Sequence, residues 1–131
     1  MAHQFIQPPG WKAPKGYANG VLTKNGTLYI GGQAAWTADQ RFESHEIVGQ
    51  IKQTLENILA VVKEAGGEAT DIMRLTWYVT DKQEYLEKQA EVGQVYRDVL
   101  GYHFPAMTMV VVTALVEKEA LVEIEATAEI F

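Results

Sequence analysis

Acidic residues stand at alternate positions in the last apolar segment of the sequence. Glu123, Glu125 and Glu129 alternate with apolar residues between positions 122 and 130. Successive side chains of a strand point to opposite faces, so the pattern predicts one buried face and one acidic face. A carboxylate held away from water can act as a general base, because burial raises its pKa toward neutrality. An acidic strand face is more often plain solvent-exposed surface, so the residues alone leave both roles open for Glu123.

A glycine pair is the second feature with chemical potential. Gly31 and Gly32 end a predicted strand, where paired glycines indicate a bulge or a close approach of the backbone to another group. Backbone N–H groups exposed in this way can bind an anion. The three histidines, His3, His45 and His103, are far apart in sequence and lack the spacing of metal ligands. The sequence therefore predicts no metal site and no bound cofactor.

Length and composition limit the classes of function. The 131 residues suffice for one domain, residues 1–131, and there is no cysteine, which excludes disulfides and thiolate catalysis. The formal net charge is −6 with no basic cluster, so nucleic acid is not an expected partner. No apolar run reaches about 18 residues, so no membrane segment is expected. We expect a cytoplasmic protein.

The first half of the chain contains a hairpin and a helix. A short strand is predicted near residues 4–7, and Asn25-Gly26 lies between the apolar runs 21–23 and 27–30. Asn-Gly between such runs is typical of a two-residue type I′ hairpin, in which both turn residues need positive φ. Apolar residues then repeat every three or four positions from Glu46 to Ala65, which predicts an amphipathic helix that ends at Gly66-Gly67.

The second half is predicted to contain a strand, a helix and two closing strands. Residues 72–80 alternate, with Met73 and Trp77 on the apolar face. Asp81 and Glu84 have the spacing of a capping box and would begin a helix that runs to about Leu100. The two closing runs, 104–115 and 120–131, are predicted to pair with each other as antiparallel strands.

These elements define an α+β domain. Two helices with apolar stripes must bury them on one face of the sheet, which gives a two-layer architecture with six strands. The other sheet face is predicted to carry Tyr78, Met107, Met109 and Val111. A face so apolar is expected to be buried in an oligomer.

Five short segments, in order and with consistent spacing, give the sequence a resemblance to the RidA/YjgF family. They are Gly16-Tyr17, Gly20-Val21, Ile30-Gly31-Gly32-Gln33, Phe104-Pro105-Ala106 and VEIEATA at 122–128. The resemblance implies a mixed sheet of the chorismate-mutase-like type, assembled as a homotrimer. It also implies small-molecule pockets in the clefts between subunits and, in the deaminase branch, hydrolysis of 2-imino or enamino acids to the keto acid and ammonia.

Some of the family's pocket residues are present at the matching positions. The resemblance places the pocket tyrosine on Tyr17 and the glutamate that positions the attacking water on Glu123. We therefore expect Glu123 to direct water and Tyr17 to orient the ligand. The family's Ser-Gly pair falls on Gly31-Gly32, so the serine is missing, while the backbone N–H groups remain candidates for steadying developing charge.

Other pocket positions depart from the family pattern. The asparagine falls near Gly93, the carboxylate-binding arginine falls on Met107, and the cysteine two residues later falls on Met109. An arginine binds a carboxylate through two parallel hydrogen bonds, which a thioether cannot make. By analogy with buried charge pairs, the loss costs roughly 2–5 kcal/mol of substrate binding. Arg74 is the candidate for a replacing cation, although pairing with a strand glutamate is the simpler role for it.

Two functions from different classes follow. The first is a RidA-like hydrolase acting on an imine, an enamine or an amino-substituted acid, other than the standard 2-imino acids. The second is a non-catalytic trimer that binds a small metabolite or a protein. The ribonuclease activity sometimes attached to the family ranks third, because the chain is acidic.

Overall fold

The computed structural model describes residues 2–131, and Met1 lies outside the described part. Within that part the strands are β1 (Gln4–Ile6), β2 (Gly20–Leu22), β3 (Thr27–Gln33), β4 (Ile72–Val79), β5 (Ala106–Val111) and β6 (Val122–Glu129). The helices are α1 (Ile47–Glu64), α2 (Lys82–Glu87) and α3 (Gln89–Leu100), with one 3-10 turn at Ala69–Asp71. All six predicted strands are present.

The six strands form one mixed sheet in the order β1-β2-β3-β6-β4-β5. β4 and β5 are parallel, and the other neighbouring pairs are antiparallel. The predicted antiparallel pairing of the two closing strands is therefore wrong, because β4 lies between them. Helices α2 and α3 form the crossover that lets β5 run in the same direction as β4. The predicted two-layer α+β class with a six-stranded mixed sheet is confirmed.

Helix α1 supplies the main apolar contact with the sheet. Its stripe, which includes Ile51, Leu55 and Ile58, is fully buried and shares one core cluster with Leu28 of β3 and Ile124 of β6. The spacing of three and four residues predicts this face. The helix ends where Gly66 adopts a φ of 93°, as expected for a glycine C-cap.

A buried glutamine on α1 fixes the start of β6. The side-chain N–H groups of Gln50 donate to Ser44 O at 3.1 Å and Glu119 O at 2.8 Å. Its Oε1 accepts from the backbone N–H of Leu121 at 2.8 Å. A buried amide with all these partners is well satisfied. The chain therefore enters β6 at a defined position, which in turn positions Glu123.

The second predicted helix is broken into two. Lys88, with φ −109° and ψ 14°, interrupts it between α2 and α3. The predicted N-terminal cap is present, since Asp81 Oδ1 accepts from the Glu84 backbone N–H at 3.0 Å. The apolar spacing survives the break, because Val92 and Tyr96 remain on the buried face of α3.

The hairpin between β2 and β3 has a longer turn than predicted. The Thr23 N–H donates to Thr27 O at 2.8 Å, and the Gly26 N–H donates to Thr23 O at 3.0 Å. Three residues therefore form the loop, and of Asn25 and Gly26 only Gly26 has positive φ. This is a type I turn followed by a left-handed glycine, not the predicted type I′ turn.

Strand β5 faces the opposite way from the prediction. Met107 is paired with Leu75, Met109 with Trp77 and Val111 with Val79, all in the parallel β4–β5 ladder. Paired residues share a face, and Leu75, Trp77 and Val79 are buried under the helices. Met107, Met109 and Val111 therefore lie on the helix-facing side of the sheet. The sequence shows little contrast between the two faces, because the opposite face, Ala106, Thr108 and Val110, has only one polar residue.

The outer face of the sheet has no helix covering it. It carries Tyr78, as predicted. It also carries Phe5, Tyr29 and Val110, which are 79%, 55% and 40% exposed, respectively. Met73 joins this face instead of the predicted inner one, because a register shift between Ile72 and Arg74 inserts an extra residue into β4. Exposed apolar side chains on one sheet face are typical of an association surface.

Candidate functional site

The glycine pair forms a bulge in the β3–β6 ladder. Ile30 is paired with Ala126 and Gln33 with Ile124, so Gly31 and Gly32 together oppose one residue of β6. A bulge bends the strand and redirects its neighbours. The bulge that the paired glycines indicate is therefore present, next to the strand that carries Glu123.

Gly32 lies directly beneath the carboxylate of Glu123. A Cβ added at position 32 would overlap Glu123 Oε2 and come within 2.9 Å of Cδ and 3.1 Å of Cγ. The absence of a side chain at position 32 thus makes room for the glutamate to fold back over the bulge. The sequence signal for this close approach was the glycine pair itself.

The Gly31 N–H is already engaged and is not free for an anion. It donates to Asn19 O at 2.9 Å. Asn19 is itself buried, donating through Nδ2 to Gln7 Oε1 at 2.7 Å and accepting at Oδ1 from Gln33 Nε2 at 3.1 Å. Of the two N–H groups considered as anion donors, that of Gly31 is therefore already bound within the chain. Its role is to bring the segment around residue 18 against the bulge.

The chain that follows Tyr17 lies beside the same bulge, since the backbone oxygen of Ala18 is 3.2 Å from the position of a Cβ at residue 31. Tyr17 itself lines a separate cavity together with Trp11. The Tyr17 ring is 46% exposed, and its hydroxyl accepts a long hydrogen bond of 3.4 Å from Gln40 Nε2. We call Tyr17, Gly31, Gly32 and Glu123 the carboxylate half-site.

The electrostatics of the carboxylate half-site favour a protonatable glutamate. Partial burial, and secondly the charge of Glu125, raise the pKa of Glu123 above its ordinary value. Glu125 is exposed and accepts a 3.0 Å hydrogen bond from Tyr78 Oη. That hydrogen bond is the main reason that the pKa of Tyr78 is raised. A carboxylate with a raised pKa can accept a proton from water at a working pH nearer neutrality.

The positions that depart from the family pattern meet in a groove on the helix side of the sheet. A groove of about 190 Å³ lies between α3 and the β4–β5 edge, and both Gly93 and Met107 line it. Met109, two residues along β5, is half-buried against the core. Gly93 and Met107 therefore line one groove, and the strand face predicted for Met107 was wrong.

One wall of the groove is a stack of aromatic rings. The rings of Trp77 and Tyr96 have centroids 6.5 Å apart, and those of Tyr96 and Phe104 are 5.4 Å apart at an interplanar angle of 14°. The Tyr96 hydroxyl donates to His103 O at 2.7 Å. His103 Nε2 donates in turn to Ile72 O at 2.6 Å. The wall is therefore tied to the start of β4.

Arg97 also lines the groove, and the sequence reasoning missed it. It follows Gly93 by four residues on α3, so the two share one helix face. This spacing was the available signal. The cation predicted from the sequence, Arg74, lies on a strand and not on this helix.

Arg74 cannot take the place of the missing arginine within one chain. It is paired with Ala106 and Thr127 and is exposed on the outer face, whereas Met107 lies on the helix face. Of the residues 2–131, none with a carboxylate forms an ion pair with Arg74. The predicted pairing of Arg74 with a strand glutamate is therefore absent.

The two halves of the site do not meet within one chain. Glu123 is paired with Tyr78 on the outer face, and the groove lies on the helix face beside Leu75 and Trp77. The six-stranded sheet separates them. A ligand held in the groove can reach a Glu123 carboxylate only if a second copy of the chain supplies it.

Other kinds of site find little support among residues 2–131. In this range no group of three or more His, Asp or Glu side chains is arranged to hold a metal ion. His45 lies 3.6 Å from Glu119, and His103 is bound to the backbone. The helices in the same range are too short or too polar to cross a membrane.

Fold and site together define a class of small two-layer α+β domains with a glycine bulge under a central glutamate and a groove at the parallel edge. A family model described as Endoribonuclease L-PSP matches residues 10–130. A RutC family protein of Pyrococcus abyssi is 31% identical over 121 residues, which cover 89% of this chain and 91% of the relative. The chain belongs to this family, the RidA/YjgF family of the resemblance.

Solved structures agree with this assignment. RidA from the Antarctic bacterium Psychrobacter sp. is 30% identical, with a TM-score of 0.82 and coverage of 97% of this chain and 99% of that one. TdcF of E. coli, crystallised with bound serine, is 25% identical, with a TM-score of 0.79 and coverage of 96% and 98%. The fold of this chain is therefore that of the Rid proteins along nearly its whole length.

Proposed function

We propose that this protein is a Rid-family hydrolase that converts an imine, an enamine or a related amino-substituted acid to the carbonyl compound and ammonia. The observation that carries the proposal is the Glu123 carboxylate, folded over Gly32 with its pKa raised. A half-buried glutamate whose side chain has no hydrogen-bond partner among residues 2–131 is poorly explained as plain surface. It is well explained as the group that receives a water molecule.

The chemistry that these residues supply is proton transfer to and from water. Glu123 takes a proton as the water oxygen bonds to the imine carbon, which forms a tetrahedral carbinolamine. The imine nitrogen receives that proton as the carbinolamine forms. It takes a second proton, from the new hydroxyl group, as the C–N bond breaks, so it leaves as ammonia and the carbonyl remains. One imine and one water thus give one carbonyl compound and one ammonia. Tyr17, at the rim of the half-site, orients the ligand through its hydroxyl.

The proposed assembly is a homotrimer in which one subunit's groove faces a neighbour's Glu123. The exposed apolar side chains of the outer face, among them Phe5 and Tyr29, support association. The separation of the two half-sites by the sheet supports a pocket between subunits. Light scattering should give three times the 14.6 kDa of one chain. A monomeric mass would remove the basis for any pocket between subunits.

The substrate differs from the small 2-imino acids that the resemblance implies. Met107 gives no carboxylate contact where the family has an arginine, and Gly93 gives no amide. TdcF was crystallised with bound serine, so at least one relative holds an amino acid. We infer a ligand of the same amino-substituted acid class whose carboxylate is held by another group of this chain.

The proposal is tested with imines made in place by an amino-acid oxidase. Ammonia and keto-acid formation are followed for a series of side chains, from 2-iminobutanoate to the imine of phenylalanine. We expect little acceleration with 2-iminobutanoate and clear acceleration with at least one larger imine. No acceleration with any imine or enamine, at concentrations where the protein is trimeric, would refute the hydrolase proposal.

A non-catalytic metabolite-binding trimer is the second candidate. It is favoured by one observation, which is that no carboxylate or histidine in the described part of the chain lines the groove to act as an acid or base. This candidate predicts binding of the same ligands without turnover. The oxidase-coupled assay therefore distinguishes the two functions.

Substitution of the bulge glycine tests whether the position of the Glu123 carboxylate over Gly32 matters for turnover. In Gly32→Ala the new methyl group displaces the carboxylate, whose flexible end can move without breaking the fold. A displacement of about 1 Å is expected to lower kcat about 100-fold, while the free energy of unfolding changes by about 1 kcal/mol or less. Wild-type turnover by a folded Gly32→Ala protein would show that the position of the carboxylate is unimportant.

A further inference from the structure

The groove contains a cation despite the loss of the strand arginine. Arg97 of α3 lines the same groove as Met107. It is half-buried, and its side chain ends in a guanidinium cation. The positive charge therefore remains in the groove but comes from the helix wall instead of from β5.

Gly93 provides the space for this arginine. A Cβ built on Gly93 would lie 3.2 Å from Arg97 Nη1, a crowded contact. The guanidinium thus lies across the glycine, one turn back along α3. The departures at Gly93 and Met107 are linked by this arrangement. Gly93 makes room for the Arg97 guanidinium, and the uncharged Met107 does not repel that cation as an arginine would.

Arg97 has donors to spare. Within residues 2–131 its side chain makes one long hydrogen bond, from Nη2 to Gln94 Oε1 at 3.3 Å. No carboxylate in that range lies within ion-pair distance of it. A guanidinium carries five N–H groups in a planar fork that matches a carboxylate. An anion in the groove would find this fork available.

The rest of the groove is suited to a flat apolar group. Its wall is the stack of Trp77, Tyr96 and Phe104, with Leu75 and Met107 completing an apolar lining. Trp77 is 1% exposed, and its Nε1 has no hydrogen-bond partner in the described residues. A volume of about 190 Å³ is small compared with pockets for drug-sized ligands.

We propose that Arg97 is the specificity-determining residue of this groove, and that the groove binds small carboxylates with a planar aromatic or conjugated body. The carboxylate lies on the Arg97 fork, and the planar body stacks on the aromatic wall. As a statement about substrate, this inference rests on the proposed hydrolase function. As a statement about binding, it stands independently of turnover.

The test is a titration with benzoate and, as a neutral control of the same shape, benzamide. Binding is followed by calorimetry and by the indole N–H resonance of Trp77, which is assigned by exclusion with Trp11→Phe and Trp36→Phe. Benzoate should bind the wild type and shift the Trp77 resonance. Arg97→Gln should weaken benzoate binding about 10- to 100-fold, and benzamide should bind weakly to both proteins.

Lys52→Gln is the charge control, because it removes a positive charge from the exposed side of α1, a helix that contributes no residue to the groove. It should leave benzoate binding unchanged. Three results would each overturn the inference: no benzoate binding by the wild type, equal affinity of wild type and Arg97→Gln, or equal affinity for benzoate and benzamide. If Arg97-dependent binding is found but no imine is hydrolysed, the hydrolase proposal fails and the binding inference stands.

Discussion

Glu123→Gln is expected to slow imine hydrolysis by about 10²–10⁴-fold in kcat, the usual contribution of a general base. The amide has nearly the shape of the carboxylate, so it can still occupy the space over Gly32. It cannot accept a proton from water at any accessible pH. The oxidase-coupled assay measures the effect, and calorimetric titration with benzoate checks that the groove still binds its ligand.

The dependence of the hydrolysis rate on pH gives a second test of Glu123 as the base. Because burial and Glu125 raise the pKa of Glu123, the wild-type rate should rise with pH through that raised pKa, as the base loses its proton. Glu125→Gln removes the second cause, so the profile should move to lower pH while the plateau is retained. Glu123→Gln should show no such inflection. An unchanged rate in Glu123→Gln would show that another group activates the water.

Met107→Arg is expected to raise kcat/KM for 2-iminobutanoate about 30-fold or more, which corresponds to the roughly 2–5 kcal/mol of a buried charge pair. The new guanidinium lies in the groove at the family's position. Arg97 lines the same groove, so repulsion between the two cations opposes part of the gain. The double variant Met107→Arg, Arg97→Gln should therefore gain more than the single one.

Val111→Arg is the matched control for this gain. It adds the same charge to an exposed site on the same strand, outside the residues that line the groove. It should leave the rate with 2-iminobutanoate unchanged. If Met107→Arg folds and also leaves that rate unchanged, the carboxylate of small imino acids is bound elsewhere or needs the family's asparagine as well. The double variant Met107→Arg, Gly93→Asn distinguishes these two explanations.

Local periodicity was sufficient for the elements and for one half of the site. The stripe of α1 and the alternation of β6 each follow from one buried face, so Ile51 and Ile124 were assigned to the core correctly. The pair Gly31-Gly32 indicated the bulge, because glycine in a strand marks a place where a side chain does not fit.

Features that depend on distant pairing were not predictable in this way. Thr108 is the only polar residue of β5, so the alternation of this strand distinguishes the two faces weakly, and Met107 was assigned to the wrong one. The inserted residue in β4 places Met73 on the outer face of the sheet. The alternation of residues 72–80 predicts it on the helix-facing side. From the sequence alone, Arg97 cannot be distinguished from an ordinary helix-surface residue. Its place beside Gly93 in the groove is apparent only from the three-dimensional structure.

The sheet that separates Glu123 from the groove has a consequence for how damage to the site is distributed. Under the proposed assembly, each pocket draws its base from one chain and its ligand wall from the next. A chain that has lost Glu123 still offers an intact groove, and a chain that has lost Arg97 still offers an intact base. Two inactive chains can therefore complement each other in a mixed trimer, which makes activity a property of the assembly and not of the single polypeptide.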